Sequence, residues 1–204
     1  MTDLTWTIVV PVKGTVAAKS RLGASRELAM AIALDTVAAA VSAAADVIVV
    51  TAGAVAPQFE AIGARVVLDP GGGLSGAVDA GIARAVAAAV AGSGPVAIAV
   101  LLGDVPALQP RELVAALLAA EQHPQSFVAD ADGTGTVLIA ALDGRAHAPA
   151  FGPDSRALHV AAGYVELPVD AASGLRRDVD TPEQLDALTG RLGARTVAAL
   201  QGRT

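Results

Sequence analysis

Cysteine is absent from the 204 residues, as is asparagine, and phenylalanine, tryptophan and tyrosine together make up only 2%. Without cysteine there is no disulfide scaffold, no zinc–cysteine site and no cysteine nucleophile. Positive charge is also short: 14 Lys and Arg stand against 20 Asp and Glu, a formal net charge of −6. A chain with that balance lacks the basic field that compensates a nucleic-acid backbone, so nucleic-acid binding is not the default expectation. No uninterrupted apolar run approaches the ~18 residues of a membrane span. The first residues carry no basic region leading into an apolar signal core. What remains is 53% hydrophobic and 17% charged, which does not describe a disordered chain. The length suits one domain with a sizeable core, and the expectation is a soluble, cytoplasmic, single-domain protein spanning residues 1–204.

The shortage of lysine is local in its meaning. The only two lysines, Lys13 and Lys19, fall in one short segment directly after the first apolar run. That run, Trp6 to Val12, reads as a buried strand. Met30, Leu34, Val37 and Val41 then recur at helical spacing, with Ser25 placed to cap them. Further strands are expected at 46–51, 65–68 and 95–102, with a short helix near 55–62 and an alanine-rich one over 75–91. This alternation predicts a mostly parallel sheet covered by helices on both faces. After a helix near 111–120 the pattern changes: strands at 126–131 and 136–142 flank Asp132-Gly133, a hairpin dipeptide, so the sheet should be mixed. A short helix is expected within 193–204.

Five segments carry candidate chemistry. Gly103-Asp104 follows the most apolar strand at its carboxyl end, where open α/β sheets bind ligands, and the glycine would let a ligand approach the backbone. Asp178 and Asp180 stand two apart in extended chain, so they share a face. Just after them Thr181, Pro182 and Gln184 specify a helix start with a capping box. Two like charges on one face repel unless a cation lies between them, and with Asp104 they offer three oxygen ligands to a hard divalent ion. The loop with Lys13, Lys19 and Arg21 supplies cations suited to a nucleotide triphosphate, although it is not a Walker A motif. Gly133-Thr134-Gly135-Thr136 and Phe151 to Arg156 could hold a second, anionic substrate through hydroxyls and free N–H groups. His123, His147 and His159 share no metal-ligand spacing and read as surface or packing residues.

Taken together, VPVKGTVAAKSRL, LLGDVPAL, FVADADGTGT, FGPDS and RRDVDTPEQL resemble, in order and over nearly the whole chain, the phosphoenolpyruvate / 2-phospho-L-lactate guanylyltransferases of coenzyme F420 biosynthesis. The resemblance implies a three-layer α/β/α, Rossmann-like fold of the nucleotide-diphospho-sugar transferase type. It implies that Asp104, Asp178 and Asp180 hold two magnesium ions, and that Thr136, Gly152 and Ser155 bind phosphoenolpyruvate. Lys13, Lys19 and Arg21 match the family's basic loop near the triphosphate and, with Asp104, would be the catalytic groups. Ser75, in Gly73-Leu74-Ser75-Gly76, stands where the family carries asparagine toward the nucleoside; it keeps a hydroxyl and loses the amide.

The reaction implied is transfer of GMP from GTP to phosphoenolpyruvate, giving enolpyruvyl-diphospho-5'-guanosine and pyrophosphate. The product could pass to the deazaflavin-side transferase, and a homodimer is one option for the assembly. The alternatives are 2-phospho-L-lactate or 3-phosphoglycerate as the guanylyl acceptor, a nucleotidyltransferase acting on a sugar phosphate or molybdopterin, and a non-catalytic nucleotide-binding subunit.

Overall fold

The computed structural model describes residues 4–12, 26–44, 46–89 and 94–202. Seven strands form one sheet in the order β3-β2-β1-β4-β6-β5-β7. These are β1 (Thr7–Pro11), β2 (Asp46–Thr51), β3 (Arg65–Leu68), β4 (Ile98–Leu101), β5 (Gln125–Ala129), β6 (Thr136–Ala141) and β7 (Val165–Glu166). β1, β2, β3 and β4 run parallel, while β6 is antiparallel to both β4 and β5. The sheet is therefore mixed and mostly parallel, as the sequence predicts.

The helices are α1 (Arg26–Ala43), α2 (Ala56–Glu60), α3 (Gly73–Ala88), α4 (Pro110–Ala120), α5 (Ser155–Ala161), α6 (Pro182–Asp186) and α7 (Ala194–Gln201). Alternate residues of the central strands point to two separate cores. Ile8, Val10, Val49 and Leu101 pack with Ala33, Val37, Leu113 and Leu117 from α1 and α4. On the opposite face Val9, Ile48, Val50 and Val100 meet Ala77, Val78 and Ala85 of α3. Because both faces are covered, the strands carry apolar residues at nearly every position. A third cluster joins Leu28 and Ile32 of α1 to Val179, Leu185 and Leu188, which seats the acidic 178–180 segment against the domain.

The element boundaries differ from expectation in places with a physical cause. The link between β5 and β6 is not a two-residue turn at Asp132-Gly133 but a loop over 130–135. Asp130 closes it by accepting from the N–H groups of Thr134 (3.0 Å) and Gly135 (2.8 Å), an enclosure that periodicity does not report. The two-residue edge strand β7 was not expected; a strand that short carries no alternation to read. Ser25, the expected cap of α1, lies outside the described residues.

One buried hydroxyl ties the sheet edge to α1. Thr36 donates to the Ile32 carbonyl (3.0 Å) and accepts from the Val105 N–H (3.0 Å), holding the turn that carries Asp104. Thr36→Val keeps the shape and strands that N–H in the interior. It should lower unfolding free energy by about 1–3 kcal/mol, measured by urea titration.

Candidate active site

The carboxyl ends of β1, β2, β3 and β4 lie along one edge of the sheet because these strands are parallel. β6 runs the other way, with Leu101 paired to Leu138 and the Leu102 N–H bonded to the Val137 carbonyl (3.0 Å). Its first residue, Thr136, therefore starts at the edge where β4 ends and Asp104 follows. β5 is antiparallel to β6 and delivers Asp130 to the same edge. Gly103 has a structural use: a Cβ there would lie 3.0 Å from the Pro11 carbonyl oxygen and 3.1 Å from a Val12 methyl. The room expected for a ligand at this glycine is filled by β1.

The second acidic segment is pinned in place by five hydrogen bonds. The Val179 N–H donates to the Asp104 carbonyl (3.0 Å). Arg176 donates from Nε to Ala129, from Nη1 to Val169 and from Nη2 to Asp130, always to backbone oxygens. Glu112, within the capping box of α4, accepts from the Gly174 N–H at 2.9 Å. The expected capping box of α6 is present, with the Gln184 amide oxygen receiving the Asp180 and Thr181 N–H groups and Thr181 receiving that of Gln184.

These bonds bring Asp104, Asp178 and Asp180 into one electrostatic cluster, joined by Asp130. The Asp178 carboxyl is pushed up to about 7, first by burial and then by the negative fields of Asp104, Asp130 and Asp180. Asp130 was not singled out in the sequence; its run, Asp-Ala-Asp-Gly, reads as a turn, and only the strand pairing carries it to the site. Among the described residues no three Asp, Glu or His side chains are gathered as a ready metal cage. The donor set nonetheless fits magnesium: it is all oxygen and concentrated in charge, and that ion keeps several waters and binds through a few carboxylates plus substrate phosphates.

The candidate segments for a second substrate are built around His159, which is fully buried. Its Nδ1 lies 2.9 Å from the Thr136 hydroxyl, and its Nε2 accepts from the Ala150 N–H at 3.0 Å. Ser155, buried, stands one helical turn earlier on the same face of α5. Gly152 has φ of 128°, a backbone state that favours glycine, and the adjoining Phe151 ring packs edge-on against His159. The expected free N–H groups of this helix start are partly used: Ser155 donates to the Gly152 carbonyl and Arg156 to that of Thr134. His147 and His159 are packing residues as expected, and both also make hydrogen bonds.

Ser75 is exposed in the first turn of α3, after Gly71, Gly72 and Gly73, all with positive φ. It lies at the same sheet edge, beyond β3. Lys13, Lys19 and Arg21 lie outside the described residues.

A sheet with carboxylates at the carboxyl ends of its strands is the layout of a nucleotide-handling enzyme, and the comparisons agree. The family model for the MobA-like NTP transferase domain matches residues 24–199, which makes the chain a nucleotidyltransferase. A Desulfovibrio desulfuricans structure of the nucleotide-diphospho-sugar transferase type superimposes with a TM-score of 0.66 over 97% of this chain and 94% of that one, at 16% identity. A Mycobacterium tuberculosis protein solved as a manganese complex superimposes at 0.54 over 90% of this chain and 97% of that one, at 22% identity. The phosphoenolpyruvate guanylyltransferase of Streptomyces coelicolor is 49% identical over 95% of this chain and 94% of its own length. The chain belongs to the phosphoenolpyruvate guanylyltransferase family.

The raised Asp178 has a measurable consequence. In the folded protein it keeps its proton up to about pH 7, but in the unfolded chain only to about 4. Proton uptake at this residue therefore favours the fold as pH falls from 7 to 4, and the contribution is lost as pH rises through 7. Burial lowers His147 and His159, which act in the opposite sense below their usual value. The difference between wild type and Asp178→Asn isolates the carboxyl. The stability of wild type relative to Asp178→Asn should rise as pH falls from 8 to 5, measured by metal-free thermal unfolding; a flat difference would contradict the cluster.

Proposed function

We propose that the protein transfers GMP from GTP to phosphoenolpyruvate, giving enolpyruvyl-diphospho-5'-guanosine and pyrophosphate, as a step of coenzyme F420 biosynthesis. The observation that carries this reading is the meeting of Asp104, Asp130, Asp178 and Asp180 at the edge where Thr136 starts, in a chain of this family. Asp130 joins the halves, since its carboxylate faces Asp178 and also closes the loop leading to Thr136.

A phosphate oxygen of phosphoenolpyruvate attacks the α-phosphorus of GTP in line. The bond from that phosphorus to the bridging oxygen breaks, and pyrophosphate leaves with the electron pair. The attacking phosphate is already ionised at neutral pH, so no general base is needed, in keeping with a site of acids and cations. Positioning and charge neutralisation carry the catalysis. Asp104, with Asp178 and Asp180, would hold two magnesium ions, which when bound would offset the repulsion between the two phosphates. Thr136, Gly152 and Ser155 would orient phosphoenolpyruvate, Ser75 would face the nucleoside, and Lys13, Lys19 and Arg21 would neutralise the departing pyrophosphate.

One domain, residues 1–204, would carry all of this in the cytoplasm. Among the described residues no helix is long and apolar enough to cross a membrane. The product's reactive diphosphate linkage suits direct hand-over to the deazaflavin-side transferase, and a homodimer would not alter this chemistry.

The test is pyrophosphate release with GTP and magnesium, giving phosphoenolpyruvate, 2-phospho-L-lactate or 3-phosphoglycerate separately, with the deazaflavin-side transferase present. Release with phosphoenolpyruvate, abolished by chelator, is expected; silence with all three would refute the reading. Asp104→Asn should lower turnover by at least about 100-fold in a protein with an unchanged circular dichroism spectrum. Ser155→Ala should raise the KM for phosphoenolpyruvate by about tenfold and leave that for GTP within about twofold. Equal losses for both substrates would remove Ser155 from the acceptor site.

A further inference from the structure

His159 has no part in the reaction as written, yet it touches all three segments assigned to phosphoenolpyruvate. One ring nitrogen faces the Thr136 hydroxyl at the start of β6, and the other takes the N–H of Ala150, two residues before Gly152. The Ser155 carbonyl, one turn back on α5, favours a proton on the ring. Phe127, Phe151 and Tyr164 surround the imidazole, with centroids 5.9, 5.5 and 5.3 Å away.

Hydrogen-bond accounting determines the tautomer. A backbone N–H can only donate, so Nε2 must be the unprotonated, accepting nitrogen. A neutral ring then carries its proton on Nδ1, facing the Thr136 oxygen. Once Thr136 accepts from Nδ1–H, its own hydroxyl proton is available to a bound anion. Burial pushes the ring down to about 4, reinforced by His147, while the Ser155 carbonyl opposes the shift, so the ring is neutral throughout the working pH range. His147 has the other tautomer: the Tyr164 hydroxyl, 3.0 Å away, accepts from the Ala148 N–H and donates to Nδ1, and Nε2–H donates to the Ile98 carbonyl at 2.9 Å.

We propose that His159 is the positioning residue of the acceptor site: a buried, neutral, Nδ1-protonated imidazole that aligns Thr136, the 150–152 segment and Ser155, and directs the Thr136 hydroxyl as a donor to the phosphorylated acid. This rests on the assignment of Thr136, Gly152 and Ser155 to phosphoenolpyruvate. A residue that only filled space would affect both substrates alike; this one acts on one of them.

The test compares two polar replacements. His159→Asn places an amide N–H near the Nδ1 position and keeps the donor to Thr136. His159→Gln reaches toward the Nε2 position, keeps a partner for Ala150 and leaves Thr136 without its donor. The KM for phosphoenolpyruvate should stay within about threefold in the Asn variant and rise about tenfold or more in the Gln variant, with the KM for GTP within about twofold in both. Thr136→Val should raise the same KM in wild type and add little in the Gln background. Parallel changes in both KM values, or a Gln variant that keeps the wild-type KM for phosphoenolpyruvate, would overturn the proposal.

Nitrogen NMR of wild-type imidazoles supplies a readout independent of turnover and of whether a variant folds. A neutral ring protonated on Nδ1 at pH 7 is expected; an Nε2–H or cationic ring would overturn the proposal. If wild type releases no pyrophosphate with phosphoenolpyruvate, the functional reading fails, and the tautomer still decides the role of His159 at Thr136.

Discussion

Because β6 is inserted antiparallel between β4 and β5, two chain positions that a parallel sheet would separate meet on one edge. In a parallel arrangement the start of β6 would lie at the edge opposite the end of β4, with a strand's length between Thr136 and Asp104. The reversal places an acidic strand end and a hydroxyl strand start side by side, and β5 then returns to add Asp130. Ladder hydrogen bonds fix these positions more tightly than loop contacts would, which suits a reaction in which alignment supplies much of the rate.

That convergence gathers carboxylates that repel one another, and the fold holds them by backbone bonds. The Val179 N–H on the Asp104 carbonyl and the Arg176 guanidinium on three carbonyls lock the acidic segments together through main-chain oxygens. An arginine on the carboxylates would stabilise the empty site and compete with any incoming cation. Arg176 goes to main-chain oxygens instead, and the Asp178 proton is held up to about 7, first by burial and then by the fields of Asp104, Asp130 and Asp180. On the proposed reading a divalent cation would complement these carboxylates and leave positions open for substrate phosphates.

The layered fold was legible because buried strands write apolar runs and helices write 3.6-residue spacing. β1, β2, β3 and α4 fall within a few residues of expectation. The α6 cap was legible for a related reason, as Thr181, Pro182 and Gln184 act locally. Asp104, Asp178 and Asp180 stood out as acids at element ends, but Asp130 did not, since its role depends on β5 lying beside β6 and on Arg176 reaching across 46 positions. His159 was hidden for the same reason: periodicity shows that it faces a core, and only packing shows which hydroxyl and which N–H meet its ring.

If Thr136, Gly152 and Ser155 take phosphoenolpyruvate as proposed, a neutral histidine behind them has a kinetic logic. On that assignment an imidazolium facing phosphoenolpyruvate would bind the ground state more strongly than the transition state, because the charge on the attacking phosphate falls as its oxygen bonds to phosphorus. Ground-state binding of that kind lowers KM and slows the chemical step. A neutral relay through Thr136 contributes direction with little charge, and leaves neutralisation to groups near the α-phosphate and the departing pyrophosphate, where negative charge moves during the step. On this division of labour the aromatic pocket around His159 has an electrostatic purpose as well as a packing one. It keeps the ring uncharged at neutral pH, where the phosphates are ionised, so the Thr136 donor keeps one direction there.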